Sequence, residues 1–388
     1  MRVAVTGATG LVGGQVARAA LDAGHEVVAI TRSGTGATLA LGDRRVARVT
    51  AALTDRAGLR RALDGCDGLL HCAAVYAFGP EHEEQVRGVN VAGTRAILEA
   101  AADVGTARAV VTTSSVTRGS SREPLARSEH DLLGDEPAPA YYESKVAQEE
   151  AALEVGSRRG IEVVLALPTL VLGGPYRRLG PSNAIVLRYL LDPTRSTFAG
   201  GGNLVDARDV GAGHVLLLDS GTPGQRYLLG GDNLSWRAVH SLVADLTGLP
   251  GPYAEVPAGV ASALAATDEW WSRLTARPAL STREEAATIG RHYWYASDRA
   301  ADLGYAARPA RATVAAAVGW LAVSPDLPRW LRESLRLHPD VRAARELVPA
   351  PLPELGEPPE PGDGSAAAAV RPRPRRPPPR SPRRPQTR

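Results

Sequence analysis

Lysine is almost missing from this chain of 388 residues. Lysine and arginine together number 45, and reading along the sequence only Lys145 is a lysine. A chain that uses arginine wherever it merely needs positive charge marks the one retained lysine as a place for a compact ammonium with rotatable donors. Cysteine is nearly as scarce. Cys66 and Cys72 are too few for a disulfide framework, and no metal-ligand spacing surrounds them, so a reducing, cytoplasmic setting is expected. No apolar run approaches roughly 18 residues without a charge, which excludes a spanning helix. Met1–Thr6 runs straight into a strand-like pattern without the basic, apolar and cleavage regions of a secretory leader. Acids are absent from Arg371 to Arg388, where eight arginines stand; removing that +8 from the net +3 leaves −5 for residues 1–370. The pI near 9.0 therefore belongs to the tail, and the mildly acidic body argues against a nucleic-acid partner.

What is present is an alternation. Arg2–Thr6, Glu26–Thr31, Val46–Leu53, Gly68–Ala74, Arg108–Thr113 and Glu162–Leu167 read as strands. Between them Leu11–Ala23, a segment capped by Asp55, Glu83–Ala102 and Tyr141–Arg159 have helical spacing. Such alternation implies an α/β fold: a doubly wound parallel sheet covered on both faces. After Pro168 the pattern loosens. Asn183–Leu191 and Asp206–Leu218 read as helices and Gln225–Leu229 as a strand, and 235–335 reads as helical fragments. The expected organisation is a nucleotide-binding core over 1–175 and a smaller, mostly helical substrate region over 176–345, with some segments returning to the core. A disordered Pro/Arg-rich tail over 346–388 follows.

Two constellations carry chemistry. Gly7-Ala-Thr-Gly10-Leu-Val-Gly13 sits directly after the first strand and before the first helix, the context in which a glycine triplet cradles a pyrophosphate at a helix N-terminus. The second strand ends in Thr31-Arg32-Ser33. A guanidinium beside hydroxyls, with no carboxylate to hold ribose hydroxyls, favours NADP(H) over NAD(H). Further on, Tyr141 and Lys145 are four apart and share a helical face. An ammonium beside the phenol favours phenolate, which would fit Tyr141 for proton transfer. Ser114 and Ser115 end the fifth strand, where ligands meet a doubly wound sheet, and a hydroxyl there can donate to a substrate carbonyl. Ser115 is the preferred donor and Ser114 the second choice. Neither has the Gly-x-Ser-x-Gly surroundings of a hydrolase nucleophile.

With these residues in place, the span 1–325 resembles the extended short-chain dehydrogenase/reductase family. Thr6–Gly13 is similar to its phosphate loop, His71-Cys-Ala-Ala74 to its fourth-strand segment, and Asn90-Val-Ala-Gly-Thr94 to its central-helix asparagine motif. Ser115, Tyr141 and Lys145 match its catalytic triad, and Pro168–Pro175 its nicotinamide-lining segment. The resemblance implies cofactor contacts from Gly7, Thr9, Gly10, Leu11, Val12, Gly13, Arg32, Leu53, Ala73, Tyr141, Lys145, Pro168 and Thr169, and no metal. Arg32, the Tyr-Tyr-x-Ser-Lys form and Asp206–Val210 look most like the dihydroflavonol-reductase branch. Two departures stand out. Ala51-Ala52-Leu53 replaces a Gly-Asp-Leu whose aspartate holds adenine, and the segment from Ser115 to Gly119 is one residue short.

The resulting expectation is an NADP(H)-dependent oxidoreductase that reduces a ketone or aldehyde or oxidises the alcohol, with a small-molecule carbonyl or alcohol as substrate and a monomer or homodimer as its state. Its pocket walls would come from Tyr76–Phe78, Tyr176–Asn183 and the region of Trp270 and Trp271. Two alternatives share the scaffold. One is a nucleotide-sugar epimerase or dehydratase that retains NAD and uses Arg177, Arg178 or Arg226 for a pyrophosphate. The other is an idle NADP-binding scaffold.

Overall fold

The computed structural model describes residues 1–32, 41, 46–76, 82–134, 139–257, 259–260, 263 and 288–346. Ser33, Phe78, Trp270, Trp271 and the tail from 347 lie outside the described residues. The strands follow the apolar runs in chain order: β1 (Arg2–Thr6), β2 (Glu26–Thr31), β3 (Ala47–Thr50), β4 (Gly68–His71), β5 (Arg108–Thr112) and β6 (Glu162–Pro168). Then β7 (Leu170–Leu172), β8 (Ser196–Phe198) and β9 (Gly201–Asp206) leave the sheet, and β10 (Arg226–Leu229) rejoins it. The main sheet has seven strands in the order β10-β6-β5-β4-β1-β2-β3, every neighbour parallel.

Parallel neighbours require crossovers, and helices supply them. In chain order these are α1 (Leu11–Asp22), α2 (Arg56–Leu63), α3 (Glu83–Arg87), α4 (Gly93–Asp103), α5 (Ala140–Arg159), α6 (Pro181–Leu191), α7 (Ala207–Ser220) and α8 (Trp236–Thr247). Strand side chains alternate between faces. Val3 and Val5 pack with Val16, Ala17 and Ala20 of α1 and with Val210 and Leu217 of α7. Ala4 and Val28 pack on the other face with Leu59 and Leu63 of α2, Ile97 of α4 and Val155 of α5. Burying each such aliphatic side chain stabilises by about 1.5–3 kcal/mol, so the sandwiched sheet is the main source of stability. Helix ends follow local chemistry: the Asp55 side chain accepts from the Gly58 N–H at 2.9 Å to start α2, and Gly160 takes a left-handed turn to stop α5.

The run expected as one helix over 83–102 contains a π-turn, Gly88–Ala92, between α3 and α4. The turn carries Asn90 inward, wholly buried; its amide pairs with both backbone groups of Val75 (2.8 and 3.1 Å) and fixes the loop after β4.

The later part of the chain is helical, as expected, and also holds a small sheet. β9 lies at its centre, parallel to β7 and to β13 (His292–Tyr293) and antiparallel to β11 (Asp232–Ser235); β12 (Ala254–Val256) pairs with β8. These strands are short, and β9 opens on glycine, so the sequence carried little periodicity to reveal them. Helix α8 and helices Ala310–Leu321, Arg329–Ser334 and Pro339–Glu346 close over a second core around Leu172, Leu190, Val243 and Leu321. Among the described residues no helix is long and apolar enough to cross a membrane, and no cluster of metal-ligating side chains occurs.

Candidate active site

The carboxyl ends of β1, β2, β4, β5 and β6 open into one cleft of about 1430 Å³. At β1 the chain turns through Gly7, whose φ is 70° and whose missing Cβ would lie 2.8 Å from the Ala73 nitrogen. A Cβ on Gly13 would lie 2.3 Å from the Gly7 carbonyl oxygen. The turn thus packs backbone on backbone, and only glycine fits at either place. Helix α1 then starts at Gly10 with no side-chain cap and no acid in its first turn. Its leading amides and dipole suit an anion.

Every residue expected to touch the cofactor lines this cleft: Gly7, Thr9, Gly10, Leu11, Val12 and Gly13 at the turn, Arg32 and Leu53 beside it, Ala73 at the centre, and Tyr141, Lys145, Pro168 and Thr169 opposite. Arg32 is exposed at the end of β2. The Thr169 hydroxyl oxygen is buried and has no hydrogen-bond partner among the described residues. An unspent buried hydroxyl, a backbone-lined turn and an uncapped helix start together fit a dinucleotide.

Tyr141 sits in the first turn of α5, nine-tenths buried, with the Tyr76 ring tilted against it at a centroid distance of 4.6 Å. Burial raises its pKa far above the usual phenol, the neighbouring Tyr76 adds to this, and a hydrogen bond with the Ser114 hydroxyl opposes it. One turn on, the Lys145 ammonium nitrogen is 5.8 Å from the Tyr141 ring centre. It donates to Gln148 Oε1 at 2.8 Å and towards the Thr112 carbonyl at 3.4 Å. Burial pulls Lys145 down to about 7, against the opposing influence of Glu149 and then Cys72. Among the protein's own groups desolvation dominates and moves both residues toward their neutral forms; the sequence expectation joined the ammonium to an oxidised nicotinamide.

The geometry separates the two serines, both of which line the cleft. Ser114 is the last residue in extended conformation (φ −165°, ψ 147°), and its hydroxyl meets Tyr141. Ser115, preferred from sequence, begins a 3-10 turn, and its hydroxyl instead hydrogen-bonds Tyr295, whose own hydroxyl donates to the Gly119 carbonyl at 2.8 Å.

Of the expected walls, Tyr76, Arg178 and Gly180–Asn183 line the cleft. Tyr176 does not; it packs edge-on to Trp320 at 5.4 Å. Arg177 is exposed away from the cleft, and Arg226 pairs with the buried Glu149 at 2.7 Å. Sequence reading missed Tyr142 and Tyr293, whose hydroxyls hydrogen-bond each other at the cleft wall, and Phe198, Trp236 and His240 farther out. It also missed Gln148, one helical turn beyond Lys145; that spacing was the available signal.

Three comparisons bear on this geometry. Residues 3–230 match the model of the NAD dependent epimerase/dehydratase family. A protein of Synechocystis sp. named after dihydroflavonol 4-reductase is 31% identical over 327 residues, 81% of this chain and 93% of that protein. Cinnamoyl-CoA reductase 1 of Arabidopsis thaliana is 31% identical over 245 residues, 58% of this chain and 69% of that one. Among solved structures, a nucleoside-diphosphate-sugar epimerase from Pseudomonas aeruginosa superposes with a TM-score of 0.67 at 26% identity, covering 84% of this chain and 99% of the other.

Proposed function

The chain belongs to the NAD dependent epimerase/dehydratase family, and on that premise we propose that it is an NADP(H)-dependent reductase of a ketone or aldehyde. The observation that carries this reading is convergence: Ser114, Tyr141 and Lys145 face the same cleft as the glycine turn and Arg32. The reductases among its relatives support carbonyl reduction over epimerisation.

The residues divide the work. The Gly7–Gly13 turn and the start of α1 would hold the pyrophosphate, and Thr169 has a free hydroxyl for the nicotinamide end. Arg32, exposed at the end of β2 and lining the cleft, would hold a 2′-phosphate, and no carboxylate among the described residues at the end of β2 would repel it. A nicotinamide so held supplies the hydride. Tyr141 and Ser114 would both donate to the substrate carbonyl oxygen, Ser114 stabilising charge there and Tyr141 giving up its proton. Lys145, in its protonated form, would favour the phenolate that Tyr141 leaves behind. Tyr76, Tyr142 and Tyr293 would exclude water from the reacting carbonyl.

The test is to mix the purified protein with NADPH and a panel of aromatic and aliphatic carbonyls and follow the near-UV absorbance of the reduced nicotinamide. Consumption that disappears in Tyr141→Phe, with NADPH binding retained, supports the reading. No consumption with any carbonyl, together with NAD retained through purification, would replace it with a sugar-nucleotide epimerase.

A further inference from the structure

We propose that Gln148 is the positioning residue of the lysine: its side-chain amide, locked through Thr94 and His71 to the end of β1, holds the Lys145 ammonium in register with the cleft. This deepens the reading above and rests on it only for what Lys145 does there.

The chain of contacts is fully oriented. Thr6 Oγ1 accepts from the backbone N–H of Cys72 and of Ala73, each at 3.1 Å, so its own proton goes to His71 Nδ1 at 2.8 Å. His71 then carries its proton on Nε2 and donates to Thr94 Oγ1 at 3.0 Å. Thr94 gives its proton to the Asn90 carbonyl at 2.7 Å and accepts from Gln148 Nε2 at 2.9 Å. That leaves Gln148 Oε1 facing Lys145 Nζ at 2.8 Å. Flipping the amide would set its N–H against the Lys145 N–H at one end and its oxygen against the Thr94 oxygen, whose proton is already spent, at the other. Thr6, His71, Thr94, Lys145 and Gln148 are all at most 2% exposed, so a lost partner would leave a poorly solvated polar group.

Burial keeps His71 neutral, with its pKa lowered to about 3 and Lys145 as the second cause, which agrees with the tautomer the contacts demand. The array is no proton wire: it ends in two backbone donors, and an amide does not relay a proton by accepting at one end and releasing at the other. Its effect is on place and charge. The titratable groups facing Lys145 are Glu149 on α5, Cys72 and His71 at the end of β4, and Tyr141 one turn back. Glu149 is already engaged by Arg118 at 2.9 Å, Arg226 at 2.7 Å and Thr117 at 2.6 Å. Among the described residues, Gln148 is therefore the side chain that directly accepts from the ammonium. With the Thr112 carbonyl as a second acceptor, one N–H of three remains for a molecule in the cleft.

Because the chain contains a single lysine, protein grown on 13C,15N-lysine reports Lys145 alone. The Cε resonance of the full chain is titrated in the wild type, Gln148→Leu, Gln148→Glu, Thr94→Val and Thr94→Ser. Gln148→Leu is expected to lower the midpoint by about one pH unit, and Gln148→Glu to raise it by about as much. Thr94→Val should shift it in the same direction as Gln148→Leu, and Thr94→Ser, which keeps the hydroxyl, should restore the wild-type value. A midpoint moved by less than about 0.2 unit in folded Gln148→Leu, well inside one such hydrogen bond, overturns the proposal. Should that variant not fold, an unmoved midpoint in Gln148→Glu overturns it equally. Lys145→Met is assayed in parallel with NADPH and the carbonyl panel: full activity there ends the functional reading, whereas the titration alone decides the role of Gln148.

Discussion

Lys145→Met should remove a pH dependence from the stability of the protein. A lysine titrates near 10.5 when unfolded, and burial brings Lys145 to about 7 in the folded chain. Between those values the unfolded state holds a proton that the folded state has released, so stability rises with pH across that window. Below pH 7 both states are protonated and the contribution is flat, at its least favourable level. Each unit well inside the window is worth about 1.4 kcal/mol, so wild-type protein should gain roughly 2–3 kcal/mol between pH 6 and 9 that the methionine variant does not. The assay is urea unfolding of nucleotide-stripped protein at pH 6 and pH 9, each variant against wild type at the same pH. Subtracting one from the other cancels the other titrating groups and the pH-independent cost of leaving the Gln148 carbonyl oxygen unpaired. A wild-type-to-variant gap of equal size at both pH values would falsify the claim that this ammonium is held in a poorly solvating site.

The other expectations concern the cleft. Tyr141→Phe should cut kcat by about 10²–10⁴-fold while leaving NADPH affinity within a few-fold, read by steady-state kinetics and fluorescence titration. Ser114→Ala should cost about 10²–10³-fold in kcat, and Ser115→Ala much less, since its hydroxyl serves Tyr295; the reverse order would return the donor role to Ser115. Arg32→Ser should weaken NADPH more than NADH by about 1.5–3 kcal/mol, and equal losses for the two would deny Arg32 a phosphate. Gly13→Ala places a carbon 2.3 Å from the Gly7 carbonyl oxygen; it should destabilise by about 1–3 kcal/mol and weaken both nucleotides together, as thermal melts with and without nucleotide would show.

The main sheet was legible because buried parallel strands are written as apolar runs: β1 and β2 begin and end where the sequence placed them. The glycine turn was legible for a related reason, since Gly7 and Gly13 are required by backbone contacts that any sequence with this turn must make. The choice between adjacent serines was not. It depends on where extended backbone gives way to a 3-10 turn, a shift of one residue that leaves composition unchanged. The π-turn that carries Asn90 was hidden similarly, because it inserts a residue without altering apolar spacing enough to notice, although the asparagine itself stood out through its motif. The phenol pair Tyr142 and Tyr293 is formed by residues 151 positions apart, and only the folded chain brings β13 against α5. The direction of the Tyr141 and Lys145 shifts was beyond sequence as well. Spacing on a helix reports proximity, whereas desolvation depends on everything packed around the pair.

The late return of β10 has a consequence for biosynthesis. The free edge of β6 at Leu165–Pro168 is covered only when Arg226–Leu229 arrives, and α7, made just beforehand, supplies part of the layer over β1 and β4. A nascent chain that has emerged as far as β6 holds the glycine turn, the phenol and the lysine, yet it presents an unpaired apolar border and a half-clothed sheet. Of the cleft's outer wall, Phe198 precedes the strand that seals this border, whereas Trp236, His240 and Tyr293 follow it, so the cleft is walled from both sides of the closing strand in the chain.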